Sequence, residues 1–180
     1  MAGVMALATI IVYVFIYTPL KRVSTLNTVV GALPGAFPIL GGWFAGGGVF
    51  DEKALGLTAI MFLWQFPHFL AIAFLCKEDY ALAGFKMLPL VDPSGKMTGR
   101  QIIIYSFALS MVALSPTLLY NLTGMLYLGI AAALGLGNMF FAFRFHRSPE
   151  RKTALNILKF AYLQLTLIMV FLIVDQVAIA

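Results

Sequence analysis

The chain has 180 residues, of which 62% are hydrophobic and only 11% are charged. Soluble domains average about 25% charged residues, so this composition excludes a soluble globular domain and indicates an integral membrane protein. The single cysteine, Cys76, excludes an internal disulfide framework and a zinc site made of paired cysteines. The net charge of +5 is explained by the placement of the basic residues along the chain, so it does not indicate a nucleic-acid partner.

Six apolar segments predict an all-α fold, a polytopic transmembrane helix bundle that forms a single membrane domain over residues 1–180. A helix that crosses the hydrocarbon core needs about 20 apolar residues. Residues 101–143 contain no acidic or basic residue, and we predict the turn that divides them into two helices at residues 121–124. The predicted spans are approximately residues 2–18, 27–49, 54–75, 101–120, 123–143 and 155–177.

Ten of the twelve basic residues follow the first, third and fifth predicted spans, and Lys159 lies just inside the sixth, near the same side. Lys53, beside Asp51 and Glu52, is the exception on the opposite side. The positive-inside rule therefore predicts that the long basic loops are cytoplasmic and that both chain ends lie outside. No mitochondrial presequence precedes the first span, which favours a bacterial inner (plasma) membrane.

The loop after the first span, YTPLKRVSTLN at residues 17–27, carries the first candidate site. Lys21 and Arg22 could grip a diphosphate, Arg22 in bidentate fashion and Lys21 as a point charge. Tyr17 and Asn27 could add hydrogen bonds. The alternative is that the two cations only set the topology and face lipid phosphates.

The loop after the third span contains both carboxylates and lysines. Asp79 or Glu78 could ligate Mg²⁺ that bridges phosphate oxygens, or the acidic pair could simply be a solvated cap. The span before this loop contains Trp64 and His68, and polar groups in hydrocarbon are costly unless they have a function. His68 could contact a porphyrin carboxylate or ligate haem iron, or it could be a hydrogen-bonded packing residue.

Five tracts in order resemble the protohaem IX farnesyltransferase (haem O synthase) branch of the UbiA superfamily of intramembrane prenyltransferases. The tracts are YTPLKR with STLN, GALPGAFPILGGW, FLWQFPHFLAIA and KEDYALAGFKMLPLVD, between residues 13 and 95. The tract from WQFPHF to AGFKMLP is specific to this branch. The last three spans fit in number and charge but carry little distinctive sequence.

The resemblance implies a UbiA-like bundle of nine spans around a cavity open to lipid, of which this chain holds six. It implies transfer of a farnesyl group from farnesyl diphosphate to a vinyl group of haem b, with Mg²⁺ as the cofactor, to make haem O. Membrane lipid would surround the protein, and haem A synthase or terminal oxidase assembly would be its partners. The alternative is a membrane haem-binding or oxidase-assembly protein without catalysis.

Carried onto this chain, the resemblance implies roles for individual residues. Those matching the diphosphate-facing and second acidic regions are Tyr17, Lys21, Arg22, Asn27, Lys77, Glu78, Asp79, Tyr80 and Lys86, with Lys21, Arg22 and Asp79 as the catalytic group. Trp64 and His68 are the candidates for the haem side. The first acidic motif of the family, NDxxDxxxD, has no counterpart here. We therefore expect this polypeptide to be inactive alone.

Overall fold

The computed structural model describes residues 1–179, and side chains up to residue 178. Every regular element in this part of the chain is helical, as the composition predicts. The elements in chain order are α1 (Ala2–Ile11), a π-helical segment (Val12–Tyr17), α2 (Thr18–Leu20), α3 (Asn27–Ala45), α4 (Glu52–Leu75), α5 (Lys77–Leu82), α6 (Leu88–Val91), α7 (Lys96–Val112), α8 (Ser115–Leu118), α9 (Met125–Arg147) and α10 (Arg151–Ile179).

Six stretches of the described residues are long and apolar enough to cross a membrane, which confirms the predicted number of spans. They are Ala2–Leu20, Asn27–Ala45, Glu52–Leu75, Lys96–Leu118, Met125–Arg147 and Arg151–Ala178. Each overlaps one predicted span, so the six predicted segments are correct and only their ends move.

The ends move for local reasons. The second span stops at Ala45 because a glycine run follows, in which Gly47 adopts a φ of +85° that other residues rarely tolerate. The fifth span continues to Arg147 because basic side chains suit the last turn of a helix, whose carbonyls are partly negative. The turn predicted between the fourth and fifth spans is present, with Asn121 at a φ of +49°.

Helix α4 occupies the centre of the bundle. It packs against α3, α7 and α10, and α9 closes a four-helix group by packing against both α7 and α10. The first span lies outside this group and packs against α3. A cluster of buried apolar residues fills the middle of the four-helix group: Ile60, Trp64, Leu109, Ala113, Tyr127, Ala131, Leu134, Ala161 and Ile168.

Close helix approach between α3 and its neighbours depends on two glycines four residues apart. Gly31 lies against the ring of Tyr17, and Gly35 lies against the side-chain amide of Gln65 on α4. A methyl group at either position would collide with these side chains. The Gln65 amide uses the approach at Gly35 to donate to the carbonyl of Ala32 at 3.0 Å. Small residues at this spacing let membrane helices pack at short distance.

A carboxylate from α10 caps the start of α9. The Gly124 residue that precedes α9 has no side chain to cap the helix, and Asp175 supplies the acceptor instead. One oxygen of Asp175 accepts the backbone N–H groups of Gly124 at 2.7 Å and Tyr127 at 3.0 Å. The sequence analysis did not identify this role, because the partners are 48 and 51 residues apart.

We predict that Asp175→Leu destabilises the bundle by about 1–3 kcal/mol, because two backbone donors at a buried helix end lose a charged acceptor. Thermal unfolding in detergent micelles measures the effect. Gln176→Leu, a change at the exposed neighbouring residue, should leave the midpoint unchanged. Equal midpoints for the two variants would contradict the capping role.

Candidate functional site

Three connecting segments lie together at one end of the bundle, which we call the basic end. They are residues 21–26, 76–95 and 148–150, and contacts join each to the next. The N–H of Lys86 donates to the carbonyl of Lys21 at 2.7 Å. The ammonium of Lys96 donates to the carbonyl of His146 at 2.9 Å, and so ties α7 to the end of α9. The loops predicted to share one side therefore do share one end of the bundle.

Three aromatic rings surround the ammonium group of Lys21. Its Nζ lies 4.3 Å from the ring centroid of Tyr17, 5.5 Å from that of Tyr13 and 5.7 Å from that of Phe85. The π-helical segment holds Tyr13 and Tyr17 side by side, with ring centroids 5.0 Å apart. A cation over aromatic faces is stabilised by their negative potential. Lys21 is thus held at the site by aromatic rings.

Asn27 joins the two longest segments of the basic end. Its amide nitrogen donates to the carbonyls of Ser24 and Lys86, each at 2.7 Å. The side chain is only 1% exposed, and two hydrogen bonds occupy both of its N–H groups. Together with the bond from the Lys86 N–H to the Lys21 carbonyl, these contacts form what we call the loop clamp. In this arrangement Asn27 positions the site through the backbone and has no N–H left for a ligand.

A cavity of about 140 Å³ opens beside the loop clamp. Three of the predicted residues, Tyr17, Asn27 and Tyr80, line it together. Its remaining walls are small or apolar: Thr28, Gly31, Phe69, Ile72, Ala73 and Met87. The structure therefore brings two candidate residues of the first loop, Tyr17 and Asn27, together with one residue of the second loop. The cavity is polar at the basic end and apolar toward the interior of the bundle.

Tyr80 supplies a hydrogen-bond donor to this cavity. Burial, and after it the neighbouring Cys76 thiol, raise the pKa of Tyr80 above its ordinary value of 10.0. The phenol therefore keeps its proton at neutral pH and can donate to an anion.

The other charged candidates lie at the surface. Arg22, Lys77, Glu78, Asp79 and Lys86 all have exposed side chains, and Lys86 enters the clamp only through its backbone. Glu78 lines a different cavity from Tyr80, as expected for residues two apart on a helix. Among the described residues, no three His, Cys, Asp or Glu side chains are grouped as metal ligands.

Trp64 and His68 form a separate aromatic group between α4 and α10. The indole N–H of Trp64 donates to the Ala161 carbonyl at 2.7 Å, and the ring stacks on His68 with centroids 4.8 Å apart. Tyr162 meets the His68 ring edge-on at 4.9 Å. The Nδ1 atom of His68 is buried without a hydrogen-bond partner. Phe69 lines the cavity and also contacts this group, with its ring centroid 5.4 Å from that of His68.

Three residues at the basic end were missed by the sequence analysis. Tyr13 lies four residues before Tyr17 and eight before Lys21, so this helical spacing could have identified it. Phe85 belongs to the loop after the third span and has no such local signal. Asp92 is buried and accepts hydrogen bonds from the backbone and hydroxyl of Thr98 and from the Ser94 hydroxyl. Burial alone would raise the pKa of Asp92, but these bonds outweigh it and hold the pKa below its ordinary value of 3.8. Asp92 therefore remains charged and directs the chain into α7.

We predict that Asn27→Asp opens the loop clamp, because a carboxylate cannot donate to the two carbonyls that the amide now joins. Trypsin cleavage after Lys86 should then become at least about tenfold faster, as expected for the loss of about 1.4 kcal/mol of local stability. Cleavage after Arg151 is the internal reference, and Asn156→Asp on α10 is the matched control. Unchanged cleavage after Lys86 would contradict the role of Asn27.

Comparisons with known proteins identify the family of the chain. The sequence profile of the UbiA prenyltransferase family matches residues 1–168. A curated protein named protoheme IX farnesyltransferase from Solibacter usitatus is 44% identical over 168 residues, covering 93% of this chain and 57% of the relative. Proteins of the same name from Koribacter versatilis and Flavobacterium johnsoniae are 45% and 38% identical, covering 78% and 97% of this chain and 44% and 59% of the relatives.

The chain spans about half the length of the curated relatives it matches. No solved structure matches it. The family profile begins at the first residue and reaches into the sixth span, through both segments that the loop clamp joins. The chain therefore belongs to the UbiA prenyltransferase family.

Proposed function

We propose that this chain contains the diphosphate-binding part of an enzyme that transfers a farnesyl group from farnesyl diphosphate to a vinyl group of haem b, making haem O. The observation that carries the proposal is the cavity beside the loop clamp, which Tyr17 and Tyr80 line and where the Tyr17 ring also contacts the ammonium of Lys21. The relatives with 36–45% identity are named for this reaction. The proposed reaction is the one that those relatives are named for, and the proposed residues are identified from their positions in this structure.

The residues at the basic end can stabilise a departing diphosphate. Lys21 would exchange its aromatic contacts for the diphosphate oxygens, and Arg22 would add a bidentate contact from the adjacent exposed position. The Tyr80 phenol would donate a hydrogen bond. Donors that are already in place when charge develops lower the barrier most effectively. Lys77 and Lys86, which are exposed at the surface, would attract the diphosphate anion toward the site.

The reaction begins when the allylic C–O bond breaks and its electron pair leaves with the diphosphate. The vinyl π electrons of haem b then form the new C–C bond to the farnesyl carbon. Water captures the resulting cation on the other vinyl carbon and loses a proton, which leaves the hydroxyl group. The rings of Tyr17 and Phe69 line the cavity and can shelter positive charge.

The cavity can hold only the reacting end of the prenyl donor. A volume of 140 Å³ corresponds to about five water molecules, enough for a diphosphate but not for a fifteen-carbon chain as well. The farnesyl tail and the porphyrin would then require further surfaces. We assign the porphyrin contacts to Trp64 and His68 on the far side of Phe69, and the remaining walls to segments present in the longer relatives.

Magnesium is proposed only in a limited role. Asp79 would contribute one carboxylate, Glu78 points elsewhere, and the diphosphate oxygens would complete the coordination with ligands from outside the described residues. The positive-inside rule favours a cytoplasmic basic end in a bacterial inner membrane. Haem A synthase or an assembling terminal oxidase would receive the product.

A haem-binding or oxidase-assembly role without catalysis is the second candidate. The unpartnered Nδ1 of His68 favours it, since a buried imidazole beside an indole and a phenol is suited to a haem ligand. Such a protein would not need Lys21, Arg22 or Asp79. Alanine substitutions at these three positions should then leave haem binding intact. Such a protein would form no haem O either before or after the substitutions.

We predict that haem O forms only when the chain is co-expressed with an N-terminal segment from a longer relative that carries the acidic motif. In that pair, Lys21→Gln should lower the rate by about 100-fold, because a donor to the leaving group is lost. Mass spectrometry of haem extracted after incubation with farnesyl diphosphate measures the product. Lys53→Gln, at the opposite end of the bundle, is the matched control and should keep full activity. Product formation by the chain alone, or by Lys21→Gln at the full rate, would contradict this prediction.

A further inference from the structure

A second cavity at the basic end is separate from the one beside the loop clamp. It has a volume of about 300 Å³ and lies between the end of α4 and the corner that joins α9 to α10. This volume is at the lower end of the range for small-molecule sites. Its lining residues are Phe74, Leu75, Lys77, Glu78, Pro149, Glu150 and Arg151. None of them lines the first cavity, and of these residues only Lys77 enters the proposed prenyl transfer, as a surface charge that attracts the anion.

The walls of the second cavity carry opposite charges that do not pair with one another. Two cations, Lys77 and Arg151, face it together with two carboxylates, Glu78 and Glu150. Among the hydrogen bonds of the described residues, the only one to any of these four charged groups is donated by the Ser148 hydroxyl to Glu150. The Lys77 ammonium instead lies 5.6 Å from the ring centroid of Phe74. The cavity thus offers separate positive and negative contacts to a ligand.

We expect the floor of the cavity to lie at the level of lipid headgroups. Helix α4 has 24 residues and is therefore about 36 Å long, whereas the hydrocarbon core is about 30 Å thick. Phe74 and Leu75 are the last apolar residues of this helix, and the charged residues of the cavity follow directly. A ligand in the cavity would have its polar part among the charges and its apolar part beside Phe74.

A ligand that carries charge of only one sign leaves either the two cations or the two carboxylates of the cavity without a partner. A phosphate would be attracted by Lys77 and Arg151 but repelled by the two carboxylates, and a metal ion would be repelled by the two cations. A molecule that carries both a phosphate and a primary ammonium satisfies all four groups. Selectivity for such a molecule then arises from unfavourable charge contacts with competing ligands as much as from favourable contacts with the molecule itself.

We propose that this cavity binds the headgroup of phosphatidylethanolamine from the surrounding leaflet. The phosphate diester contacts Lys77 and Arg151, and the ammonium donates to Glu78 and Glu150. A choline headgroup has the same charges, but its quaternary nitrogen has no N–H to donate. A glycerol headgroup has no cation. Binding joins the end of α4 to the α9–α10 corner, two parts of the bundle that are far apart in sequence.

Native mass spectrometry of the whole purified chain tests the proposal. The chain is mixed in detergent with equal amounts of phosphatidylethanolamine, phosphatidylcholine and phosphatidylglycerol, and the bound lipid is counted. We expect one phosphatidylethanolamine to be retained with at least about fivefold preference over each of the others. Glu150→Gln should abolish the preference over phosphatidylcholine, and Arg151→Gln should weaken retention of both. Lys152→Gln, a neighbouring cation that does not line the cavity, should change neither result.

Three results would overturn the proposal. Equal or better retention of phosphatidylglycerol would mean that the basic end attracts any anionic lipid. Equal retention of phosphatidylcholine would exclude recognition of the ammonium N–H groups. Binding of soluble phosphoethanolamine without retention of the lipid would identify a soluble ligand instead. Thermal unfolding of Glu150→Gln, expected to match that of the unmodified chain, shows that any loss of preference is not caused by misfolding.

Discussion

The side-chain amide of Asn27 is the contact on which the arrangement of the basic end depends. It is almost fully buried and bridges the carbonyls of Ser24 and Lys86, residues that belong to two different connecting segments. Residues 21–26 contain no buried side chain, so this bridge helps to fix their position against the second segment. With it, Phe85 closes over Lys21, and Tyr80 and Met87 reach the same cavity as Tyr17. The geometry of the proposed diphosphate site is therefore set by backbone contacts as much as by charge.

The membrane-embedded part of the chain supports the basic end through fixed contacts between helices. Trp64 is bound to α10 by its indole N–H, and Asp175 binds the start of α9 from the far end of α10. Gly31 and Gly35 allow α3 to approach the first span and α4 closely. Polar contacts of this kind matter more in hydrocarbon than in water, since no solvent can replace a lost partner. They hold the helices that carry the two loops at a constant separation.

Local sequence features predicted the membrane-spanning part well. Hydropathy and charge are properties of neighbouring residues, so the six spans, the turn near Asn121 and the common end of the basic loops could be read without a structure. The observed ends of the spans differ from the predicted ends where a specific local feature decides them. Examples are the positive φ of Gly47 and the hydrogen bond that Asp92 accepts from the Thr98 N–H. The family resemblance correctly indicated the UbiA fold class.

The details of the candidate site could be predicted only in part. The motifs named Tyr17, Asn27 and Tyr80 as candidates, and the structure places them around one cavity, but the bond from Asn27 to Lys86 joins residues 59 apart and has no local signature. The same holds for Phe85 over Lys21. Glu78 and Asp79 stay candidates for magnesium: both lie on the exposed surface, and Glu78 lines a different cavity from Tyr80.

The most direct test of this account is hydrogen exchange at the backbone amide of Lys86 in the whole chain. This N–H lies in an exposed, irregular stretch and donates to the carbonyl of Lys21 at 2.7 Å. If the loop clamp organises the site, the Lys86 amide exchanges at least about 100-fold more slowly than the amide of Ser94, for which the structure shows no such bond. Equal exchange rates at the two amides would contradict the organising role of the loop clamp.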